Sequence, residues 1–465
     1  ESLRGGSAMR IVIDLQGAQT RSRFRGIGRY TLSLTRAMLR ARGDHQIILA
    51  LNGQLPLAEE AIRKEFKDIL PRENIVTWHA PAPTATISLG NKWRYTVATL
   101  IREAFIESLE PDWIHISSML EGYGDSAVTS IGKFDRKTPV SVSVYDLIPL
   151  TNPEDYLDPY PLFRQFYLEQ VEQLKKARVL LAISEFSKQE ATKYLALPTG
   201  TVVNISSAAD SIFRPLPGSD DEATVRLQEA GITRPFVLYT GGADIRKNLP
   251  LLIHAFAALP ASVRSRHQLV FAGKLLDIES SQLRREAKSA GLASDEFILT
   301  GYVSDSDLVQ MYSRCSLYVF PSWHEGFGLP ALEAMSCDAP VICADSSSLV
   351  EVVANPAALF DPFSKSALVE IMARALSDRN FRQALVDNGK VQAARFSWDG
   401  SAGRAFAAIK ACSADNGPPR GDRNITPRLL DAVAGIEIGE MPADIELARV
   451  ADCIEKNMCT AESVQ

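Results

Sequence analysis

The stretch that decides the fold is residues 317–335, with the sequence LYVFPSWHEGFGLPALEAM. Its first four residues, Leu317–Phe320, form a short apolar run that predicts a buried strand. Pro330 suits the first turn of a helix, and Gly326 and Gly328 allow the backbone between them to approach a ligand closely. In parallel sheets flanked by helices, ligands bind beyond the carboxyl ends of the strands. The stretch therefore predicts a strand, a binding loop and a helix in succession.

The same alternation of short apolar runs and longer helical patterns extends over most of the chain, which is typical of parallel sheets covered by helices. The predicted strands are Ile11–Leu15, Gln46–Leu51, Ile75–Trp78, Trp113–Ile116, Val140–Tyr145, Val179–Ile183, Phe236–Thr240, Gln268–Ala272, Phe297–Leu299, Leu317–Phe320 and Val341–Cys343. Between Asp210 and Asp221 the periodicity is interrupted by Pro215, Pro217 and Gly218, which predicts a boundary between two lobes.

The length of the chain also predicts more than one domain. At 465 residues it exceeds the ~250 to 300 residues at which single hydrophobic cores stop growing. We predict an α/β protein with two Rossmann-like domains, over residues 9–209 and 210–396, and a helix at 397–412 that completes the first domain. Residues 413–465 are predicted to be a linker with one or two short helices, such as Ile445–Asn457, because they are too few to bury a core alone.

The composition excludes several classes of protein. A net charge of -6 argues against a general nucleic-acid binder, whose binding domain would be basic. The six cysteines form no C-x-x-C pair, and no run approaches the ~20 apolar residues of a membrane span. We therefore expect reduced thiols and a cytoplasmic protein.

Four arginines lie close together near the amino terminus, at positions Arg21, Arg23, Arg25 and Arg29. They are equally consistent with a solvated basic loop and with a loop that holds phosphate or an anionic membrane surface. A peripheral position on the inner face of the cell membrane therefore stays open.

Two charged motifs point to a nucleotide diphosphate. Glu325 lies on the predicted loop and Glu333 about one turn into the following helix, so the two carboxylates can contact different ends of one ligand. The structural alternative, in which Glu333 stabilises the helix N-terminus and Glu325 is a surface charge, leaves the Gly-Phe-Gly turn unexplained.

The second motif is GGADIRKNL at 241–249, where Arg246 and Lys247 would supply the positive charge that a departing diphosphate needs. Taken alone, such a basic pair is usual at a solvated helix start.

The two glutamates within EGFGLPALEAM resemble the donor-site motif of the family 4 nucleotide-sugar glycosyltransferases, and the likeness extends over most of Met9–Cys412. The resemblance implies the GT-B fold, in which two Rossmann-like doubly wound domains face a cleft. It also implies transfer with retention of anomeric configuration, no metal ion, and no cofactor other than the nucleotide sugar as co-substrate.

The resemblance assigns roles to individual residues. Glu325 would contact the transferred sugar, Glu333 the ribose hydroxyls, and Arg246 with Lys247 the diphosphate. Further donor contacts are implied at Gly28, Gly242, Tyr302, Val303, Gly326, Phe327, Gly328 and Leu329. Gly28 would belong to a glycine-rich loop at phosphate or acceptor, and Tyr302 and Val303 to a segment that contacts the base through its backbone.

Asp146, at the end of a first-domain strand, is the remaining candidate for catalysis. It could orient or deprotonate an acceptor hydroxyl, or it could cap its own turn. Relatives commonly carry histidine at the preceding position, which is Tyr145 here, so an imidazole role at the anomeric centre is in doubt.

No metal site is predicted. Asp305 and Asp307 form a D-x-D pair, but they stand beside Ser304 at a predicted helix start, where capping explains them. The six histidines show no metal-ligand spacing.

The opening Met9–Gln19 together with Arg25–Tyr30 looks like bacterial polysaccharide mannosyltransferases, including O-antigen chain builders. This implies GDP-mannose as donor and a growing polysaccharide or lipid-linked glycan as acceptor. In such relatives several transferase modules can share one chain, so the segment after Ser413 can lead to a further module. A different donor of the UDP-glucose type and a phosphorylase of the same fold are the alternatives.

Overall fold

The computed structural model describes residues 8–24, 26–216, 221–413, 425–436 and 444–464, so Arg25, Pro217 and Gly218 lie outside the described residues. The strands are β1 (Arg10–Asp14), β2 (Gln46–Asn52), β3 (Ile75–Trp78), β4 (Trp113–Ile116), β5 (Val140–Val144), β6 (Val179–Ala182), β7 (Val202–Asn204), β8 (Phe236–Thr240), β9 (Gln268–Ala272), β10 (Phe297–Gly301), β11 (Leu317–Phe320), β12 (Val341–Ala344) and β13 (Leu359–Phe360). The helices are α1 (Gln16–Gln19), α2 (Gly26–Ala41), α3 (Glu59–Phe66), α4 (Lys92–Ser108), α5 (Ile148–Thr151), α6 (Pro153–Tyr156), α7 (Pro161–Leu174), α8 (Glu185–Tyr194), α9 (Asp221–Glu229), α10 (Leu249–Ala257), α11 (Ala261–Arg264), α12 (Asp277–Ser289), α13 (Asp305–Arg314), α14 (Leu329–Ser336), α15 (Leu349–Val353), α16 (Lys365–Ser377), α17 (Arg379–Ala393), α18 (Trp398–Ser413), α19 (Ile425–Ala434) and α20 (Asp444–Glu462). None of the helices in these ranges is both long and apolar enough to cross a membrane.

The first sheet contains seven parallel strands in the order β3-β2-β1-β4-β5-β6-β7. Its central strand β1 is an aliphatic run in which Val12 and Ile13 are fully buried, as expected for a sheet covered on both faces. Ile13 pairs with Leu49 of β2 on one side and with His115 of β4 on the other. The strand order therefore reverses between β1 and β4.

The second sheet contains six parallel strands in the order β10-β9-β8-β11-β12-β13. The chain adds β9 and β10 on one side of β8 and then returns to place β11 on its other side. The order thus reverses between β8 and β11, and such a reversal is where ligands bind in open parallel sheets. Both sheets confirm the predicted α/β class with doubly wound topology.

The chain divides into two compact units, the first spanning Glu1–Ile183, Ser187–Ile205 and Trp398–Gln465 and the second spanning Ser184–Phe186 and Ser206–Ser397. The transition at Ser206 lies shortly before the predicted boundary at Asp210. Helix α18, predicted at 397–412, belongs to the first unit, where Trp398 packs edge-on against Tyr30 of α2. The grouping of Ser184–Phe186 with the second unit was not predicted.

Two strands were missed by the sequence analysis. β7 has three residues and β13 has two, and each lies at an outer edge of its sheet. A run this short carries no measurable periodicity, and it is recognisable only because a neighbouring strand supplies its hydrogen bonds.

The helices predicted within 413–465 are present, but the linker interpretation is corrected for the residues described there. The residues described there form α19 and α20, and both helices pack on the hydrophobic core of the first unit. Their buried core residues are Ile425, Leu429, Val450, Ile454 and Ala461. The Asn457 side chain also bonds the backbone nitrogen and oxygen of His79, both at 2.8 Å. The segment is too short for a core of its own, but its apolar faces join the core of the first sheet.

Leu429→Ala is expected to destabilise the protein by ~2 to 5 kcal/mol, because it removes a buried side chain from that core. Leu429 is 1% exposed, whereas the adjacent Leu430 is 51% exposed, so Leu430→Ala is the matched control and should change stability by less than about 0.5 kcal/mol. Urea unfolding of both variants measures the difference. Equal stability of the two variants would restore the linker interpretation.

Candidate active site

Three loops meet at the carboxyl edge of the second sheet, after the neighbouring strands β8, β11 and β12. They span residues 241–248, 321–328 and 345–348. The Trp323 nitrogen donates to the Arg246 carbonyl at 3.0 Å, and the Ser346 hydroxyl donates to the Trp323 carbonyl at 2.6 Å. The loops are therefore tied together at the point where the strand order reverses.

Gly328 sets the turn from the central loop into α14. Its φ of 98° lies in the left-handed region that glycine occupies without strain, and a Cβ at this position would lie 2.5 Å from Leu349 Cδ2. Gly326 and Phe327 are buried in the same loop, and Leu329 is the first residue of α14. The fold itself thus requires glycine at the turn that the sequence assigned to ligand binding.

Glu325 lies at the centre of this edge. Its Oε1 is 2.5 Å from Nζ of Lys247 and 2.7 Å from Nη1 of Arg246, and its side chain is 10% exposed. The Glu325 backbone nitrogen donates to the Ser347 hydroxyl, and the Ser348 hydroxyl donates to the Glu325 carbonyl. The structure therefore joins the predicted sugar-contacting glutamate to the predicted diphosphate clamp in one ion cluster.

The ionisation of Glu325 is fixed by this cluster. Burial alone would raise the pKa of Glu325, but Arg246 and Lys247 outweigh burial and hold the pKa at about 2. The carboxylate is consequently charged at neutral pH and can stabilise positive charge that develops on a sugar. Arg246 also pairs with Asp244 at 3.5 Å, so a diphosphate would compete with two carboxylates for the two cations.

We expect the contribution of Glu325 to stability to disappear in acid. Its folded pKa of about 2 lies below the ordinary value of 4.5, so the contribution is complete above pH 4.5 and is lost as the pH falls towards 2. Urea unfolding at about pH 5 and about pH 3 should show a stability gap between the wild-type protein and Glu325→Gln that shrinks with acidification. A gap of constant size would contradict the ion cluster.

The basic pair is positioned by a short turn after Gly242. The Asp244 side chain accepts from the Arg246 nitrogen at 3.2 Å, and Arg246 Nη1 donates to the His324 carbonyl at 2.9 Å. Among the described residues, no heavy atom would lie within 4 Å of a Cβ at Gly242, so this glycine faces open space. Arg246 and Lys247 are thus fixed to the β11 loop and do not form a solvated helix start.

Glu333 lies inside α14 and is only 4% exposed. Its Oε2 accepts from the Tyr312 hydroxyl at 3.2 Å. The carboxylate is therefore held within the second unit by a phenol, a contact that the alternative of stabilising the helix N-terminus alone does not include. Its contact with ribose stays a prediction.

Tyr302 and Val303 follow β10, the outer strand of the same sheet. Tyr302 is 78% exposed and Val303 is half-buried. The Gly273 nitrogen donates to the Gly301 carbonyl at 2.9 Å, which ties this loop to the end of β9. The pair thus lies at the predicted edge of the sheet, and its contact with a base stays a prediction.

Gly28, in the first unit, has a packing explanation. A Cβ on Gly28 would lie 2.3 Å from the Arg23 Cα, because α2 begins directly against the turn at Arg21–Phe24. No side chain fits between the two backbones. Glycine is required here whether or not a ligand is bound, so the phosphate or acceptor contact stays a prediction.

Tyr145 and Asp146 both make hydrogen bonds within the first unit. The Tyr145 hydroxyl donates to the Ser117 carbonyl at 2.9 Å and lies 3.0 Å from the Thr31 hydroxyl. Burial raises the pKa of Tyr145, so this phenol stays protonated and does not replace an imidazole base. Asp146 Oδ1 accepts from the Ile148 nitrogen at 3.2 Å, which is the turn-capping contact that the sequence offered as an alternative to catalysis.

The aspartates Asp305 and Asp307 lie in the first turn of α13, as expected. The Ser304 hydroxyl accepts from the Asp307 nitrogen at 3.2 Å, and Asp307 pairs with Arg226 at 2.8 Å. Ser304 caps the helix as predicted, and the two aspartates lie in its first turn, where negative charge is favourable. Over the described ranges, no group of three or more His, Cys, Asp or Glu side chains is placed to hold a metal ion.

Sequence analysis missed the serines that support the ion cluster. Besides Ser347 and Ser348, the Ser322 hydroxyl contacts the carbonyls of Arg246 and His324 at 3.0 and 3.3 Å. For Ser347 and Ser348 the available signal was the run of three serines at 346–348, which follows β12 after Asp345 and lies at the same sheet edge as the other loops.

Comparison with known proteins identifies the family. The family model described as glycosyl transferases group 1 matches residues 225–392, which contain the whole ion cluster. O-antigen chain mannosyltransferase B of Escherichia coli is 31% identical over 272 residues, covering 57% of this chain and 68% of that protein. The chain belongs to the group 1 glycosyltransferases.

Two further similarities extend over more of the chain. The serotype-specific mannosyltransferase WbdA of Escherichia coli is 35% identical over 395 residues, which is 85% of this chain and 47% of WbdA. The chain thus spans about half the length of the WbdA relatives. The structure of HepE from Anabaena, in complex with UDP and glucose, superposes with a TM-score of 0.62 over 87% of this chain and 100% of that chain, at 16% identity. This likeness is one of fold, and it confirms the GT-B class.

Proposed function

We propose that the chain is a retaining glycosyltransferase that transfers mannose from GDP-mannose to a growing polysaccharide or lipid-linked glycan, as in O-antigen and lipopolysaccharide synthesis. The ion cluster of Glu325, Arg246 and Lys247 at the strand reversal of the second sheet carries the proposal. The names of the two Escherichia coli relatives support mannose as the transferred sugar.

In this reaction the acceptor oxygen forms a bond to the anomeric carbon while the bond from that carbon to the diphosphate breaks. The acceptor proton passes to the departing diphosphate, on the same face of the sugar, which retains the configuration. Arg246 and Lys247 stabilise the negative charge of the leaving group, and the ionised Glu325 stabilises the positive charge on the sugar. Glu333 holds the ribose.

The proposal includes a cytoplasmic location at the inner face of the cell membrane, and joint action with further transferase modules. The six cysteines are all free thiols, which suits a reducing compartment. The greater length of the WbdA relatives supports further modules.

A panel of nucleotide sugars tests the donor. GDP-mannose at about 100 Kd should stabilise the protein by about 2.7 kcal/mol in thermal unfolding, whereas UDP-glucose should not. Release of GDP and a product with α configuration, observed by NMR, would support the reaction. Stabilisation by UDP-glucose alone would favour the other donor, and sugar release that requires inorganic phosphate would indicate a phosphorylase.

Transfer is expected to be independent of metal ions, because Arg246 and Lys247 already supply two positive charges for the diphosphate. Initial rates in excess EDTA should match those without the chelator. Complete loss of activity, restored by manganese or magnesium, would show that the two side chains are not sufficient as the clamp.

A further inference from the structure

A chain of hydroxyl groups ends on Glu333 inside the second unit. Tyr318 of β11 lies 3.0 Å from the Thr240 hydroxyl of β8, and Thr240 lies 2.8 Å from the Tyr312 hydroxyl of α13. Tyr312 in turn lies 3.2 Å from Glu333 Oε2 in α14. All four side chains are buried, so the hydroxyl relay connects two strands and two helices behind the sheet edge.

The hydroxyl relay ends on Glu333, and this end determines the direction of every hydrogen bond in the relay. The Glu333 carboxyl accepts from the Tyr312 hydroxyl, and each hydroxyl carries a single hydrogen. Tyr312 therefore donates to Glu333, Thr240 donates to Tyr312, and Tyr318 donates to Thr240. Burial raises the pKa of Tyr312, so its hydrogen is retained at neutral pH.

We infer that Tyr312 is a positioning residue for nucleotide binding, which fixes the Glu333 carboxylate so that it can accept from the ribose hydroxyls of the donor. A glutamate side chain has three rotatable bonds, and a hydrogen bond from a rigid, buried phenol holds the carboxylate in one orientation. A carboxylate has about four acceptor sites, and the bond to Tyr312 occupies one of them. The inference rests on the proposed donor site and extends it to residues outside the two sequence motifs.

Tyr312→Phe tests the inference, because it removes the single hydroxyl that reaches Glu333 in the relay and preserves the ring. Calorimetry should show GDP binding weakened about tenfold, with 2′,3′-dideoxy-GDP bound as tightly as by the wild-type protein, since that probe has no ribose hydroxyl for Glu333 to contact. The donor KM should rise by a similar factor while kcat stays within about twofold. A purely structural role would weaken both nucleotides alike, and this result would overturn the inference.

Two further variants test whether the loss of GDP binding becomes smaller with distance along the relay. Thr240→Val and Tyr318→Phe should weaken GDP binding progressively less than Tyr312→Phe, because each acts one bond farther from the carboxylate. The matched control is Tyr95→Phe, which removes a hydroxyl bonded to Gln170 in the first unit and should leave binding of both nucleotides unchanged. An equal effect of all four variants would contradict the relay.

Glu333→Ala separates failure of the relay from failure of the proposed function. If Glu333→Ala weakens GDP but not the dideoxy probe, while Tyr312→Phe affects neither, the ribose contact stands and the relay is wrong. If Glu333→Ala affects neither nucleotide, the ribose contact is wrong, and the relay has no role in binding.

Discussion

Glu325→Gln is expected to lower kcat by ~10²- to 10³-fold, the loss typical of removing one preorganised electrostatic contact to a transition state. The substitution keeps the shape of the side chain but removes the charge that opposes positive charge on the sugar. It also leaves Arg246 and Lys247 without their shared anion, which lies 2.7 and 2.5 Å from them. Nucleotide diphosphate binding should therefore be retained or tightened, because the phosphates meet less competition for the two cations.

Steady-state kinetics and calorimetry on the same purified variant measure both effects. The control is Glu286→Gln, which removes a charge paired with His254 on a half-exposed surface of the same unit and should leave kcat and binding unchanged. Near-normal turnover of Glu325→Gln would show that the ion cluster is not the reaction centre, and the functional proposal would fail with it.

The strands of the second sheet other than β13 were predictable because each contains a continuous apolar run bounded by polar or turn residues. β8, β9 and β11 were predicted with the bounds that the structure shows. Such runs carry their own signal, since a strand buried on both faces must be apolar throughout. The tail helices α19 and α20 have apolar faces that are visible in the sequence. The core that they join is that of the first sheet, and a local sequence pattern does not show which distant core a helix will join.

The ion cluster shows where sequence reasoning ends. The glutamate and the basic pair were assigned to a donor site separately, and 78 residues separate Lys247 from Glu325. Only the placement of β11 beside β8 brings them into contact, and strand order is a property of the whole sheet. The hydroxyl relay was missed for the same reason, because Tyr312, Thr240 and Tyr318 look like ordinary core residues in sequence.

The ion cluster also implies that stability and turnover can be separated by substitution. Lys247→Met removes one of the two cations that hold Glu325 ionised inside the protein. A buried charge left without any partner costs ~3 to 5 kcal/mol, and because Arg246 remains, we expect a loss of about 2 kcal/mol in the free energy of unfolding. Turnover should fall by ~10²- to 10³-fold, since the departing diphosphate loses a fixed positive charge.

The double variant Lys247→Met/Glu325→Gln tests whether the loss of stability in Lys247→Met comes from the unbalanced Glu325 carboxylate. With the carboxylate replaced by a neutral amide, no unbalanced negative charge remains, so unfolding by urea should return close to the wild-type midpoint. Turnover should stay low, because the cation that stabilises the leaving group and the carboxylate that stabilises the sugar are both missing. Lys390→Met, which breaks an exposed pair with Asp338 in the same unit, should cost at most ~1 kcal/mol and leave turnover unchanged. Recovery of both stability and turnover in the double variant would contradict the catalytic roles of both Lys247 and Glu325.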